Sequence, residues 1–271
     1  MKKNKLIIII AFILPFSLYN CSDEGNDDEY NNMETARVEI RLTDAPTQFD
    51  EVNIDIQSMS INSTDNETSG WREFSLLRPG IYNLLHFRNG ADTLLGVHNV
   101  PAGDIRQVRL ELGSNNYTVK NGFKSHIFAP VGKDEGIIIK VGDRLTANMT
   151  YRLWLDFDAS RSLVAGGMGS VGPHFLEPVI RPYTENSGGI IEGVVLPPEA
   201  KTRVWAILDN DTLFTFPEAS GYYRFSGIEP SGEWKIVYDA NNLTYYRDEV
   251  RDSITVTRGG LTVIPTVRHK I

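Results

Sequence analysis

The 271-residue chain contains a single cysteine, Cys21, which excludes any intrachain disulfide and any cysteine-based zinc site. Its five histidines (His86, His98, His126, His174 and His269) show no close ligand spacing, so a histidine zinc site has no support either. A basic excess is also missing. There are 27 basic against 35 acidic side chains, which removes the positive face that a nucleic-acid partner requires. No apolar run reaches the roughly 20 residues of a spanning helix. Two nucleotide and hydrolase signatures are absent as well. The glycine-rich stretch Ala165–Gly172 lacks the Gly-Lys-Ser/Thr of a phosphate loop, and its Ser170 does not stand in the Gly-x-Ser-x-Gly spacing of a nucleophile elbow.

What is present begins with an address. Lys2, Lys3 and Lys5 precede the apolar run Leu6–Leu14, which continues to Tyr19 and stops at Asn20-Cys21. A basic segment followed by a short apolar one reads as a cleaved export signal over residues 1–20. Leu18-Tyr19-Asn20-Cys21 resembles a bacterial lipobox, departing from the usual small residue at Asn20, as lipoproteins of the Bacteroidota tolerate. That resemblance implies diacylglycerol on Cys21 and an outer-membrane anchor. Six acids (Asp23, Glu24, Asp27, Asp28, Glu29 and Glu34) and no base lie between residues 22 and 35, leaving 29 acidic against 24 basic from residue 36 onward. Residues 21–35 therefore read as a lipidated cysteine on a disordered acidic tether. Ser22–Glu29 resembles the acidic export signal of surface-exposed lipoproteins, implying display at the cell surface, with the periplasmic face as the other location.

From Ala36 the apolar pattern has period two. Val38, Ile40 and Leu42 alternate with Glu39 and Arg41, and the same holds for Val52–Ile56, Val108–Leu112 and Tyr151–Asp158. Gly136–Val141 reads as a short buried strand. Turn residues at Asp44-Ala45-Pro46, Arg78-Pro79-Gly80, Arg88-Asn89-Gly90, Pro101-Ala102-Gly103 and Val131-Gly132 separate the strands. Only Ile81–Phe87 has helical spacing. The pattern predicts an all-β chain of two β-sandwich, immunoglobulin- or prealbumin-like domains, at residues 36–183 and 190–271, joined by a polar linker at 184–189. Seven strands are predicted in the second domain, over 190–196, 203–208, 213–216, 222–225, 234–238, 253–256 and 261–267. Pro101-Ala102-Gly103 and Pro230-Ser231-Gly232 recur in similar settings and predict equivalent corners in the two halves.

Val38–Pro46, Val52–Ile56, Trp71, Phe74, Ile81–Leu85, Val100–Leu112, Leu155–Ala159 and Phe175–Ile180 together resemble the bacterial domain of unknown function 4382, across residues 36–183. Residues 188–271 resemble a carboxypeptidase regulatory-like domain through Gly193-Val194-Val195, Ser220–Phe225, Pro230–Ile236, Tyr246 and Gly260. The second resemblance implies a prealbumin-like, non-catalytic accessory module. Neither implies a catalytic residue.

The candidate site residues follow from the strand pattern. Leu153, Leu155 and Phe157 take one face of their strand, leaving Arg152, Trp154, Asp156 and Asp158 on the other. Asp156 and Asp158, with Asp44, are candidate oxygen ligands for Ca²⁺ or an acid/base site; the plainer reading has Asp44 capping the turn at Ala45-Pro46. Trp154 and His174 are candidate ligand contacts. Thr93, Thr212 and Ser253 stand in Asp-Ser/Thr-apolar triplets that resemble the O-glycosylation sequon of Bacteroidota. The expectation is a non-enzymatic, lipid-anchored envelope protein, without a resident cofactor, that binds a protein or glycan partner. The alternatives are a subunit or anchor of a fimbria-like polymer and a Ca²⁺-binding or hydrolytic site at the three aspartates.

Overall fold

The computed structural model describes residues 34–45, 47–129, 136–167 and 172–271. The expectations for the export signal, Cys21, most of the tether, Pro46, Val131-Gly132 and Ser170 lie outside the described residues. Among the described residues, no helix is long and apolar enough to cross a membrane.

The chain is almost entirely β. In order, the strands are β1 (Thr35–Ala45), β2 (Glu51–Asn62), β3 (Trp71–Glu73), β4 (Gly80–Asn83), β5 (Thr93–Pro101), β6 (Gly103–Leu112) and β7 (Tyr117–Lys120). There follow β8 (Phe123–Phe128), β9 (Ile137–Leu145), β10 (Thr150–Asp158), a one-turn helix α1 (Ala159–Ser162), β11 (Leu163–Ala165), β12 (His174–Leu176) and β13 (Ile180–Thr184). The last seven are β14 (Gly189–Leu196), β15 (Arg203–Leu208), β16 (Asp211–Thr215), β17 (Tyr222–Ile228), β18 (Gly232–Asp239), β19 (Glu249–Val256) and β20 (Leu261–Arg268). All seven strands predicted for the C-terminal part are present. The helical spacing at Ile81–Phe87 is resolved differently: its first half is β4, and only Leu84–Phe87 forms a 3-10 turn, started by the Asn83 side chain accepting from the Leu85 N–H.

Two sandwiches result. In the first, a sheet ordered β13-β10-β1-β5 packs over a larger one ordered β11-β12-β8-β7-β2-β6-β9, with β3 and β4 also paired to β2. Its centre is the alternation seen in the sequence. Val38, Ile40 and Leu42 from β1 and Leu153, Leu155 and Phe157 from β10 meet Val52, Ile54 and Ile56 from β2, nearly all without exposure. A bulge between Ile56 and Ser58 inserts one residue in β2 and changes the buried phase to Met59 and Ile61.

The second sandwich pairs a sheet ordered β17-β14-β20 with one ordered β16-β15-β18-β19. Its core holds Trp234, Tyr223 and Tyr238, whose two phenol oxygens share a 2.6 Å hydrogen bond. Gly193 lies beneath this pair, and a Cβ there would stand 2.6 Å from the Tyr223 hydroxyl. Gly193→Ala is therefore expected to lower stability by about 1–3 kcal/mol through overpacking, read from chemical denaturation; an unchanged midpoint would show that the tyrosine pair can yield.

The two Pro-x-Gly corners do the same work in each half. Pro101-Ala102-Gly103 carries the chain from β5 in one sheet to β6 in the facing sheet, and Pro230-Ser231-Gly232 carries it from β17 to β18 in the same way. Residues Glu34–Ile271 form one compact unit. Only Glu185–Gly188 separate β13 from β14, and Arg181-Pro182-Tyr183 is part of the edge strand paired to β10. Proline is compatible with such an edge because a missing N–H there breaks no ladder.

Candidate functional site between the two sandwiches

Two first-half segments, the Asn89-Gly90 turn and β13, reach the second sandwich. Asn89, in the left-handed region at φ 52°, donates from its amide to the Phe216 carbonyl at 3.1 Å and accepts from the Thr215 hydroxyl at 2.9 Å. Gly90 follows it because a Cβ there would sit 2.5 Å from the Arg224 side chain. From β13, Arg181 donates to the carbonyls of Gly227 and Ser226 at 3.0 and 2.9 Å, and to Asp156 Oδ2 at 2.6 Å. The Tyr183 ring lies over Gly227, which has φ 61° and where a Cβ would come 2.4 Å from that ring. A bare backbone is required there on both counts.

Trp154 supports this seam from behind. Its ring stacks on Tyr183 at 5.4 Å and 4°, and its N–H donates to Asp92 Oδ2 at 2.7 Å, while Arg41 donates to the other Asp92 oxygen at 2.7 Å. One face of its ring is thus taken by Tyr183.

Within the seam is a cavity of about 100 Å³. The structure brings Asp44, Asp156 and Asp158 to its wall, together with Arg161, Arg181 and Arg224 and the apolar or aromatic Val179, Tyr183, Leu213, Phe214 and Phe225. The three aspartates have different employment. Asp158 caps α1, its Oδ1 accepting from the Arg161 N–H at 3.0 Å and the Ser160 hydroxyl at 2.7 Å. Asp156 is held by Arg181, yet burial outweighs the guanidinium and raises its pKa. Asp44 is 6 % exposed and accepts one hydrogen bond, from the Ala159 N–H at 3.2 Å. Its Oδ2 is buried without a hydrogen-bond partner among the described residues. Burial first, then repulsion from Asp156 and Asp158, pushes its pKa well above the usual carboxylate range.

Two sequence expectations are corrected here. Among the described residues the hydrogen bond of the Asp44 carboxylate runs not to the adjacent turn but to the start of α1, 115 residues away, because its own strand buries it in the seam. His174, expected as a ligand contact, is 2 % exposed and packs edge-on against Phe49 at 5.1 Å, away from the cavity. Burial lowers its pKa, so the neutral ring is favoured as a core group. The three aspartates share a cavity wall, but among the described residues no three His, Cys, Asp or Glu side chains are grouped as a metal ligand set. Of the three sequon residues, Thr212 is exposed on the cavity wall, Ser253 is exposed in β19 with φ 56°, and Thr93 is half-buried opposite Leu42.

Arg181, Tyr183, Asn89 and Arg224 are the functional-site residues that sequence reasoning missed. The available signal was the Asn89-Gly90 pair, which fixes a tight turn without saying what it touches.

Fold and seam together define an all-β body of two sandwiches docked through polar contacts. Within it, the chain belongs to the family described as domain of unknown function (DUF4382), whose profile matches residues 35–176. No functionally curated protein matches. Among solved structures, the chain is similar to the Bacillus anthracis TIE protein, at 10 % identity and a TM-score of 0.24, covering 88 % of this chain. It spans about a third of that protein's length, 34 %. A variant of the major pilin from Streptococcus pyogenes is similar at 8 % identity and a TM-score of 0.16, covering 88 % of this chain and 100 % of the pilin. At such scores neither likeness carries an argument.

Proposed function

We propose that this chain is a non-enzymatic lipoprotein of the cell envelope, anchored in the outer membrane through Cys21, held off the surface by acidic residues 22–29, and binding a protein or glycan partner through its β body. The observation that carries this reading is the order of the N-terminal segment. Basic residues, a short apolar run, the chain's only cysteine and an acidic stretch stand directly ahead of β1. Acyl chains contribute roughly 0.8 kcal/mol per buried CH₂, so a multiply acylated cysteine anchors stably. In this reading residues 36–183 are the DUF4382 sandwich, 184–189 the linker and 190–271 the carboxypeptidase regulatory-like accessory domain.

The test is metabolic labelling with a clickable fatty acid in the natural host, comparing wild type with Cys21→Ser. The expected outcome is a labelled wild-type protein in the outer-membrane fraction and complete loss of label in the variant. An unlabelled wild-type protein in the soluble fraction would overturn the reading.

A further inference from the structure

We propose that the cavity between the sandwiches binds a primary ammonium group, with Asp44 as its counter-ion. The inference goes beyond the anchor reading and stands whether or not Cys21 carries lipid. It starts from a charge inventory of the wall. Each lining guanidinium is already matched: Arg181 with Asp156 at 2.6 Å, Arg224 with Glu192 at 2.8 Å, and Arg161 with Asp158 at 4.0 Å. Arg88, whose Nε donates to the Leu85 carbonyl, acts on Asp44 through space without bonding it, so Asp44 is left with one backbone donor and a buried Oδ2 that has no partner among the described residues. A buried carboxylate in that position is unfavourable unless it takes a proton or a cation.

The remainder of the wall selects the kind of cation. Tyr183, Phe214 and Phe225 contribute aromatic rings, and Val179 and Leu213 contribute apolar surface, which suits an organic ammonium and not a hydrated metal ion. The aspartates do not converge as a metal ligand set, since Asp156 and Asp158 are committed to Arg181 and α1. The volume is about 100 Å³, room for several waters. A methylammonium-sized head fits. The ammonium has two sources, a free amine or the end of a partner's lysine side chain, and the cavity recognises what they share.

The experiment is isothermal titration of the full chain with methylammonium chloride at pH 9 and pH 5, with matched sodium chloride, tetramethylammonium and calcium chloride as comparisons. Saturable binding at pH 9, weakened at least tenfold at pH 5 and in Asp44→Asn, is the expected result, because the proton and the cation compete for one carboxylate. Tetramethylammonium, which has no N–H to donate, is expected to bind at least tenfold more weakly. Nα-acetyl-lysine amide binding as well as methylammonium would assign a protein side chain as the source; methylammonium binding alone would assign a free amine. No heat at either pH, equal response to tetramethylammonium, or preference for calcium would overturn the proposal. The pH arm uses the wild-type chain, so the test survives if Asp44→Asn fails to fold.

Discussion

Arg181→Ala is expected to lower stability at pH 7 by about 2–3 kcal/mol, and to split unfolding into two transitions. The guanidinium holds Asp156 and two carbonyls of β17, so its loss leaves a carboxylate and two backbone acceptors without their donor. Removing one partner of a fully buried pair costs roughly 3–5 kcal/mol. The lower figure reflects partial exposure, 34 % for Arg181 and 15 % for Asp156, which admits solvent screening. The loss is smaller near pH 4, because without Arg181 nothing opposes the burial that already raises the Asp156 pKa, and the acid takes a proton. Urea denaturation followed by tryptophan fluorescence checks both points. Trp71 and Trp154 report the first sandwich and Trp205 and Trp234 the second, so a seam that couples them gives one transition in the wild type and two in the variant. A single transition with an unchanged midpoint would mean that Arg181 contributes nothing to docking.

Asp44→Asn is expected to make the protein more stable at neutral pH and to flatten its pH profile. The sign follows from the direction of the shift. The carboxyl's folded pKa lies well above its ordinary 3.8. Its contribution is therefore fully present below the ordinary value and is lost as pH rises toward the folded one. Across that window the wild type loses about 1.4 kcal/mol per pH unit relative to a residue that does not titrate. Asparagine keeps the oxygen that accepts from Ala159 and replaces the unpartnered one with a donor in the cavity that Asp156 and Asp158 also line. Denaturation between pH 4 and pH 8 checks this: the gap between variant and wild type should widen with pH. Parallel profiles would show that Asp44 carries an ordinary, solvated carboxylate.

How far the fold was legible depended on the length of each alternation. Val38-Ile40-Leu42 and Leu153-Leu155-Phe157 each give three apolar residues at period two, and both lie at the centre of a sheet. β3, β11 and β12 have three residues each, too few for periodicity to register, and β7 and β8 are built around Thr118, Ser125 and Ile127, two of which are polar. β2 is longer than its visible pattern because its bulge changes phase after Ile56. The site was legible in part. The period of β10 set Asp156 and Asp158 off the core face, and the cavity receives both. Arg181 and Tyr183 stand in a Pro-containing stretch directly ahead of the expected linker, and their roles come from β10 and β17, 25 to 46 residues away for Arg181. Asn89 docks on Phe216, 127 residues along the chain. No local pattern encodes contacts of that range.

The central claim is that the two sandwiches close over Asp44 and keep its carboxylate from water. Carbon-13 NMR of the aspartate carboxyl groups, followed from pH 3 to pH 9 in wild type and Asp44→Asn, reads this directly. The account predicts one resonance titrating well above the ordinary range for aspartate and missing from the variant. If the resonance lost in Asp44→Asn titrates near 3.8, the seam is open to solvent and the account is wrong.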